Sequence, residues 1–176
     1  ELLFKSKELE DRLWEGRSIK KIGDYYYKIN KNDSSKAYYN QSVKLAKKFG
    51  DLEGVGLALK SLQSSDNDNA VRYNNQLIDI WHRLENWKEL GRAYHNLGRL
   101  YYYLSLYNEA LAYFGKAHRY WEEIEYKWGL QINYRYEGVC YRNQGNYMVS
   151  LEKYRHSLDI ASDRQDDIGI AISFLL

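Results

Sequence analysis

The 176 residues, 44% hydrophobic and 28% charged, are enough for one domain-sized core and exclude a disordered chain. The 26 basic and 24 acidic side chains leave a formal charge of +2, which excludes a gross electrostatic nucleic-acid binder but not a local basic patch. One cysteine, Cys140, excludes an internal disulfide and a cysteine-cluster metal site and suits a reducing, cytoplasmic compartment, and no stretch approaches the roughly 18 apolar residues that span a bilayer.

Proline is absent, and apolar residues recur three and four apart, as in Tyr94, Leu97, Gly98 and Tyr101. That period marks one face of a helix. Polar breaks at Asn30–Ser34, Ser64–Asp68, Ser105–Asn108 and Gly145-Asn146 punctuate the chain. The reading is a trailing helix over 1–14, then helix pairs at 17–30 with 34–49, 53–64 with 67–85, 88–104 with 107–124, and 128–144 with 147–164. A last helix starts near 167 and runs into the apolar segment Ile170-Ala171-Ile172-Ser173-Phe174-Leu175-Leu176. Such a segment needs a neighbour. The chain is therefore expected to be a piece of a longer protein, with self-association through the terminal helix when it stands alone.

A Gly-x-x-Tyr pair recurs along this series, as Gly23 with Tyr26, Gly98 with Tyr101 and Gly138 with Tyr141. Each is followed by a small residue, an aromatic and another small residue at constant spacing. These are Ser35, Tyr39 and Ser42, then Ala110, Phe114 and Ala117, then Ser150, Tyr154 and Ser157. Ala58, Ala70, Asn74 and Leu77 form a degenerate copy. A period near forty residues means one supersecondary unit stacked on itself. Glycine inside a helix costs about 1 kcal/mol relative to alanine, so its return at one phase implies close helix crossings, with the aromatics filling the space beside them.

Arranged in this way, Leu97-Gly98-x-x-Tyr101 with Tyr107, Ala110, Phe114 and Ala117 resembles the tetratricopeptide repeat family, as does Gly138 with Tyr141, Gly145, Tyr147, Ser150, Tyr154 and Ser157. The resemblance covers essentially the whole chain. Glu137 stands where a leucine is usual, Ser61 replaces an aromatic, and no proline closes a repeat. Repeats near forty residues are similar to a branch that includes sensor arms of signalling ATPases, kinesin light chains, G-protein-signalling adaptors and peptide-pheromone receptors. The segments Trp81–Trp87 and Trp121–Ile124 resemble helix ends of the sensor-arm group.

The resemblance implies an all-α, right-handed superhelix of antiparallel helix hairpins. It implies one repeat array over 1–176, with units at about 16–50, 51–86, 87–126 and 127–166 and partial units at both ends. It also implies a non-catalytic protein- or peptide-binding scaffold, as the interaction or sensor arm of a larger signalling protein. A pheromone-type receptor domain of a transcriptional regulator and a nucleic-acid-binding helical repeat remain as alternatives. A continuous basic stripe, which the last of these needs, is broken by the apolar second unit.

Half a turn from the packing stripe lies the face expected to line the concave side. It carries Arg17, Lys20, Lys21, Asp24, Tyr27 and Lys28 in the first unit and Leu52, Val55, Leu59 and Leu62 in the second. The third unit gives Arg92, His95, Asn96, Arg99, Tyr102 and Tyr103, and the fourth gives Arg135, Tyr136, Val139, Arg142 and Asn143. Read as a groove, this face suits an acidic protein or peptide segment with hydrophobic anchors. Read plainly, the charges are a solvated face and the leucines pack on neighbouring helices. The candidate binding residues are Arg92, His95, Asn96, Arg99, Tyr102, Tyr103, Arg135, Tyr136, Arg142 and Asn143.

Other chemistry finds little support. The family's clamp for a terminal carboxylate fails, because Asp24 and Gly56 stand where asparagines are needed. Tyr25-Tyr26-Tyr27 and Tyr101-Tyr102-Tyr103 spread around their helices and cannot form one stacking platform for bases. His82, His95, His118 and His156 lack metal spacing, no phosphate-binding loop is present, and no cofactor is expected. Cys140 reads as an inert core residue.

Overall fold

Gly98 shows why this sequence folds as it does. A Cβ built there would stand 2.6 Å from the Phe114 ring and 3.1 Å from the Ala110 carbonyl oxygen. Gly23 meets Tyr39 in the same way, and Gly138 meets Tyr154, each sixteen residues downstream. The fixed interval is the length of chain needed to go up one helix, turn, and return to the same height. Ser35, Ser42, Ala110, Ala117, Ser150 and Ser157 on the second helices are all buried, as their size requires.

The computed structural model describes the backbone of residues 2–174, and the side chains of these apart from 2–10, 67, 170 and 172–174. The helices are α1 (Leu2–Lys28), α2 (Asn32–Lys48), α3 (Leu52–Ser65), α4 (Ala70–Arg83), α5 (Trp87–Tyr103), α6 (Tyr107–Glu123), α7 (Lys127–Asn143), α8 (Tyr147–Asp163) and α9 (Asp167–Phe174). A single 3-10 turn, Asn67–Asn69, precedes α4. No strand occurs among the described residues, and the fold class is the all-α stack of antiparallel helix hairpins that the repeat implies. Two compact units are formed, Glu1–Glu85 and Asn86–Leu176.

Within the first unit α1 packs on α2, α2 on α3 and α3 on α4. The expected break between a trailing helix and its successor does not occur, because Gly16 is buried inside α1 against Leu45 and its carbonyl accepts a 2.8 Å bond from Ser42 Oγ. Glycine there closes a helix contact and does not end the helix. Val55, Leu59 and Leu62 are buried core residues, so the plain reading holds for them. Arg17 pairs with Asp51 and Glu53, and Lys20 with Asp24. Asn74, in the degenerate repeat, is fully buried where the other repeats carry an aromatic, and it bonds back to the Ala70 carbonyl at 2.8 Å.

Within the second unit α5 packs on α6, α6 on α7, α7 on α8 and α8 on α9, and α5 also neighbours α7. Rings interleave along one flank of the α5–α6 hairpin. Trp87 stacks on Tyr120, Tyr120 on Tyr94, and Tyr113 on Tyr101, at 5.1–5.8 Å between centroids. Lys116 bridges the two halves, with its Nζ 5.5 Å from the Tyr94 ring and 5.1 Å from the Tyr113 ring. Many of the nineteen tyrosines are thus structural, which accounts for a mean hydropathy of −0.73 in a packed chain.

Three-residue joins repeat through both units with the middle residue left-handed, at Asn30, Gly50, Glu85, Ser105, Glu125, Gly145 and Gln165. At Ser105 the amide bonds to the Tyr102 carbonyl and the next amide to the Tyr101 carbonyl, which closes the helix end without proline. Cys140 is fully buried, and burial pushes its thiol up to about 12, as befits an inert core position. The side chains of Ile170, Ile172, Phe174 and Leu175, expected to need cover, lie outside the described residues.

A pair of glycines tests this packing. Gly98→Leu drives its side chain into Phe114 and should cost about 3 kcal/mol or more. Gly115 meets nothing within 4 Å, so Gly115→Ala should stabilise by about 0.5–1 kcal/mol. Thermal melts of the two variants should move in opposite directions. A Gly98→Leu protein melting within about 2 °C of the parent would contradict the assigned contact.

Candidate functional site

The candidate residues divide by helical register. Arg92, Asn96, Arg99 and Tyr103 stand four, three and four residues apart on α5 and share one face. One forty-residue period later, Tyr136 and Asn143 hold the matching positions on α7. His95 and Tyr102 lie to the side, toward α7. Arg135 and Arg142 occupy in α7 the places that His95 and Tyr102 hold in α5, so register sets them beside the shared face and not on it.

Aromatic contacts join the two helices. The Arg99 guanidinium carbon stands 5.5 Å from the Tyr136 ring centroid. Tyr136 meets Tyr102 edge-on at 5.9 Å and His95 at 5.2 Å, and tilts against Phe114 at 5.7 Å. The Tyr103 and Tyr136 hydroxyls favour the Arg99 charge. Burial opposes the guanidinium's charge, but these two phenols raise its pKa above the ordinary arginine value. Arg99, with Tyr136, in turn lowers the pKa of the Tyr103 hydroxyl. Tyr103 is 65% exposed, Arg92 pairs with Glu89 on its own helix, and Asn143 is exposed.

His95 is buried, 5% exposed, among Phe114, Trp121 and Tyr136. It forms the floor of this face and does not line an open groove. Asn133, with no exposed surface, donates from Nδ2 to the Phe114 carbonyl at 2.9 Å and to Glu137 Oε1 at 3.0 Å. Its Oδ1 is left to accept from His95 Nδ1 at 2.9 Å, which fixes the proton on that nitrogen. Glu137 continues the chain to Lys153 Nζ at 3.0 Å and stands 3.9 Å from His118 Nδ1. Four helices thus share one buried polar network. Sequence reasoning missed Asn133 as a member, although Glu137 in a leucine's usual place was its visible signal.

Burial drives the His95 imidazole down to about 4; the Asn133 bond works against this, and the charges of Arg99, Arg135 and Arg92 add to it. Three arginine charges therefore reach one neutral residue, and one of the three, Arg92, is paired with Glu89. Such a face attracts oxyanions and offers tyrosine rings for apolar contact. No group of three His, Cys, Asp or Glu side chains able to hold a metal occurs among the described residues, and no described helix is long and apolar enough to cross a membrane.

Family models described as "Tetratricopeptide repeat" match residues 56–123 and 21–49, together more than half of the chain. No curated protein matches it. Among solved structures, aspartyl phosphate phosphatase F from Bacillus subtilis is similar with a TM-score of 0.85 at 17% identity, over 92% of this chain and 44% of that one. A signal transduction ATPase with numerous domains and a tetratricopeptide repeat sensor, from Pyrococcus horikoshii, gives 0.83 at 12%, over 95% and 28%. A Rap protein complexed with competence and sporulation factor gives 0.72 at 22%, over 94% and 46%. The chain spans less than half the length of each.

The His95 environment gives a pH dependence with a definite sign. Below about pH 6.5 the unfolded chain protonates this imidazole, whereas the folded unit resists until about pH 4. Stability is full above that window and falls as pH drops through it, by on the order of 3 kcal/mol at most. Urea melts from pH 7 to 4 should show this loss in the parent and much less of it in His95→Gln, which keeps a donor for Asn133. Parallel losses in both proteins would contradict the assignment.

Proposed function

Because the chain belongs to the tetratricopeptide repeat family, we propose that it is a non-catalytic binding module whose second unit takes an acidic peptide or protein segment with apolar anchors. The observation that carries this reading is Arg99 held over the Tyr136 ring at the meeting of α5 and α7. Arg92, Asn96 and Tyr103 extend the face along α5 and Asn143 along α7, with Tyr102 and His95 as its aromatic wall and floor. Arg135 and Arg142 add charge from the flank. Arginine's planar fork suits carboxylates, and fixed tyrosine rings lose little entropy on binding.

The module is further read as the interaction or sensor arm of a larger signalling protein. Support comes from two neighbours in fold, one described with a repeat sensor in a signalling ATPase and one described in complex with a factor. Domains flanking this chain in its full-length protein would separate a sensor arm from a receptor domain of a transcriptional regulator.

A capped peptide of alternating glutamate and leucine is a suitable probe. Replacing Arg92 and Arg99 together by glutamate should weaken its binding at least about tenfold, since lost charge-assisted bonds give way to repulsion. Helicity and melting temperature should stay near the parent's. Equal affinity in the double variant at physiological salt would refute the face as the binding surface.

A further inference from the structure

The helices α2, α3 and α4 of the first unit and α6, α7 and α8 of the second are built to one register. Both sets have a three-residue join before the middle helix. Ala46, Trp81, Trp121 and Ala161 each stand third from the end of α2, α4, α6 and α8, and each is buried. Counted from these helix ends and from the starts of α3 and α7, Ala46, Leu59 and Gln76 correspond to Trp121, Tyr134 and His156. In the second unit those rings fill the space between the three helices. Trp121 packs on Gly129 and His95, while Tyr134 stacks on His156 at 5.1 Å and meets His118 edge-on at 4.9 Å. In the first unit the smaller side chains leave an open groove of about 400 Å³. Leu59 lies on its floor, Ala46 and Ile80 on its walls, and Lys47, Asp79 and Arg83 on its rim. Protein interiors are packed closely enough that a ring-sized space of this kind is uncommon, and an apolar groove with a few polar groups is the usual form of a ligand site.

We infer that the groove between α2, α3 and α4 is a second binding site, independent of the Arg99 face, and that it takes a tryptophan side chain of a partner peptide. The register says what fits, because the counterpart of this groove is filled by the chain's own rings. The largest of these is an indole, Trp121, whose N–H donates to the Lys88 carbonyl at 3.0 Å. A bound indole needs a similar acceptor, and the Asp79 carboxylate offers one at the rim. Lys47 and Arg83 place cations beside the ring position. The second unit already pairs a cation with a ring there, with Lys153 Nζ 5.3 Å from the Tyr134 centroid. A groove that is open along its side, with donors and acceptors on its rim, suits a ring carried on a backbone. Tryptophan is also the side chain that most often anchors a partner in such a pocket.

The probe is N-acetyltryptophanamide, a tryptophan residue with both ends capped. Titrated into the intact chain, it should shift the methyl signals of Ala46, Leu59 and Ile80, with a Kd on the order of 0.1–1 mM for so small a ligand. Leu59→Tyr with Gln76→His gives the groove two of its counterpart's rings and should weaken this binding at least about tenfold, since the site is then filled from within. Gln76→Trp, at a half-buried rim position, closes the groove without altering its floor and should show the same loss. Circular dichroism checks that both variants stay folded. N-acetylleucinamide should bind the parent at least about tenfold more weakly than the tryptophan amide, because it brings no ring. No shift of these methyls at about 5 mM probe, or parent-like affinity in both filled variants, would overturn the site. Equal affinity for the leucine amide would overturn its assignment to a ring. Binding of free indole without binding of the capped amide would overturn its assignment to a peptide.

Discussion

The contact between a helical glycine and an aromatic face sixteen residues later sets everything else in these units. At Gly98 it lets α6 approach until Phe114 lies against α5, and Phe114 is in turn the wall on which His95 and Tyr136 rest. Any side chain at that glycine would move α6 outward and remove the surface that orients Tyr136. Tyr136 orients Arg99. The proposed binding face is therefore a consequence of core packing, and its geometry is fixed by residues beneath it.

The buried polar network is the second constraint. A glutamate, an asparagine and a histidine shared among four helices have no place in an apolar core unless each bond is made. Asn133 meets this demand with both amide protons and its oxygen. The arrangement favours one register of α7 against α5 and α6, since sliding by a turn would strand Asn133 without His95 and the Phe114 carbonyl. A leucine in place of Glu137 would pack, but it would not choose among registers in this way. Burial, with the charges of Arg99, Arg135 and Arg92, holds His95 neutral against the pull of its Asn133 bond.

Much of this was legible in the chain before any coordinates. The small residues and their aromatics are tied by hairpin length, so a constant spacing in sequence is a constant height in space, and Gly98, Phe114, Gly138 and Tyr154 could be paired by counting. Helix breaks were harder, because Gly16 signals an ending when it in fact admits Ser42. The site was legible only in part. Half a turn of one helix spans both the open face and the face toward the next helix, which placed His95 beside Arg99 and Arg142 beside Asn143. What separates them is the neighbouring helix, and its contribution depends on packing that a single helical wheel does not contain. Projecting each position forward by forty residues does separate them, since it sets Arg135 and Arg142 on the places of His95 and Tyr102.

Backbone chemical-shift mapping of the intact chain with the glutamate–leucine peptide tests the central claim most directly. The largest perturbations should fall along Arg92–Tyr103 of α5 and around Tyr136 and Asn143 of α7, with the aromatic ladder of Tyr94, Tyr113 and Tyr120 unmoved. Perturbations centred on that ladder or on α1 to α4, or none at a saturating peptide concentration, would contradict the claim that the Arg99–Tyr136 face is where this module binds.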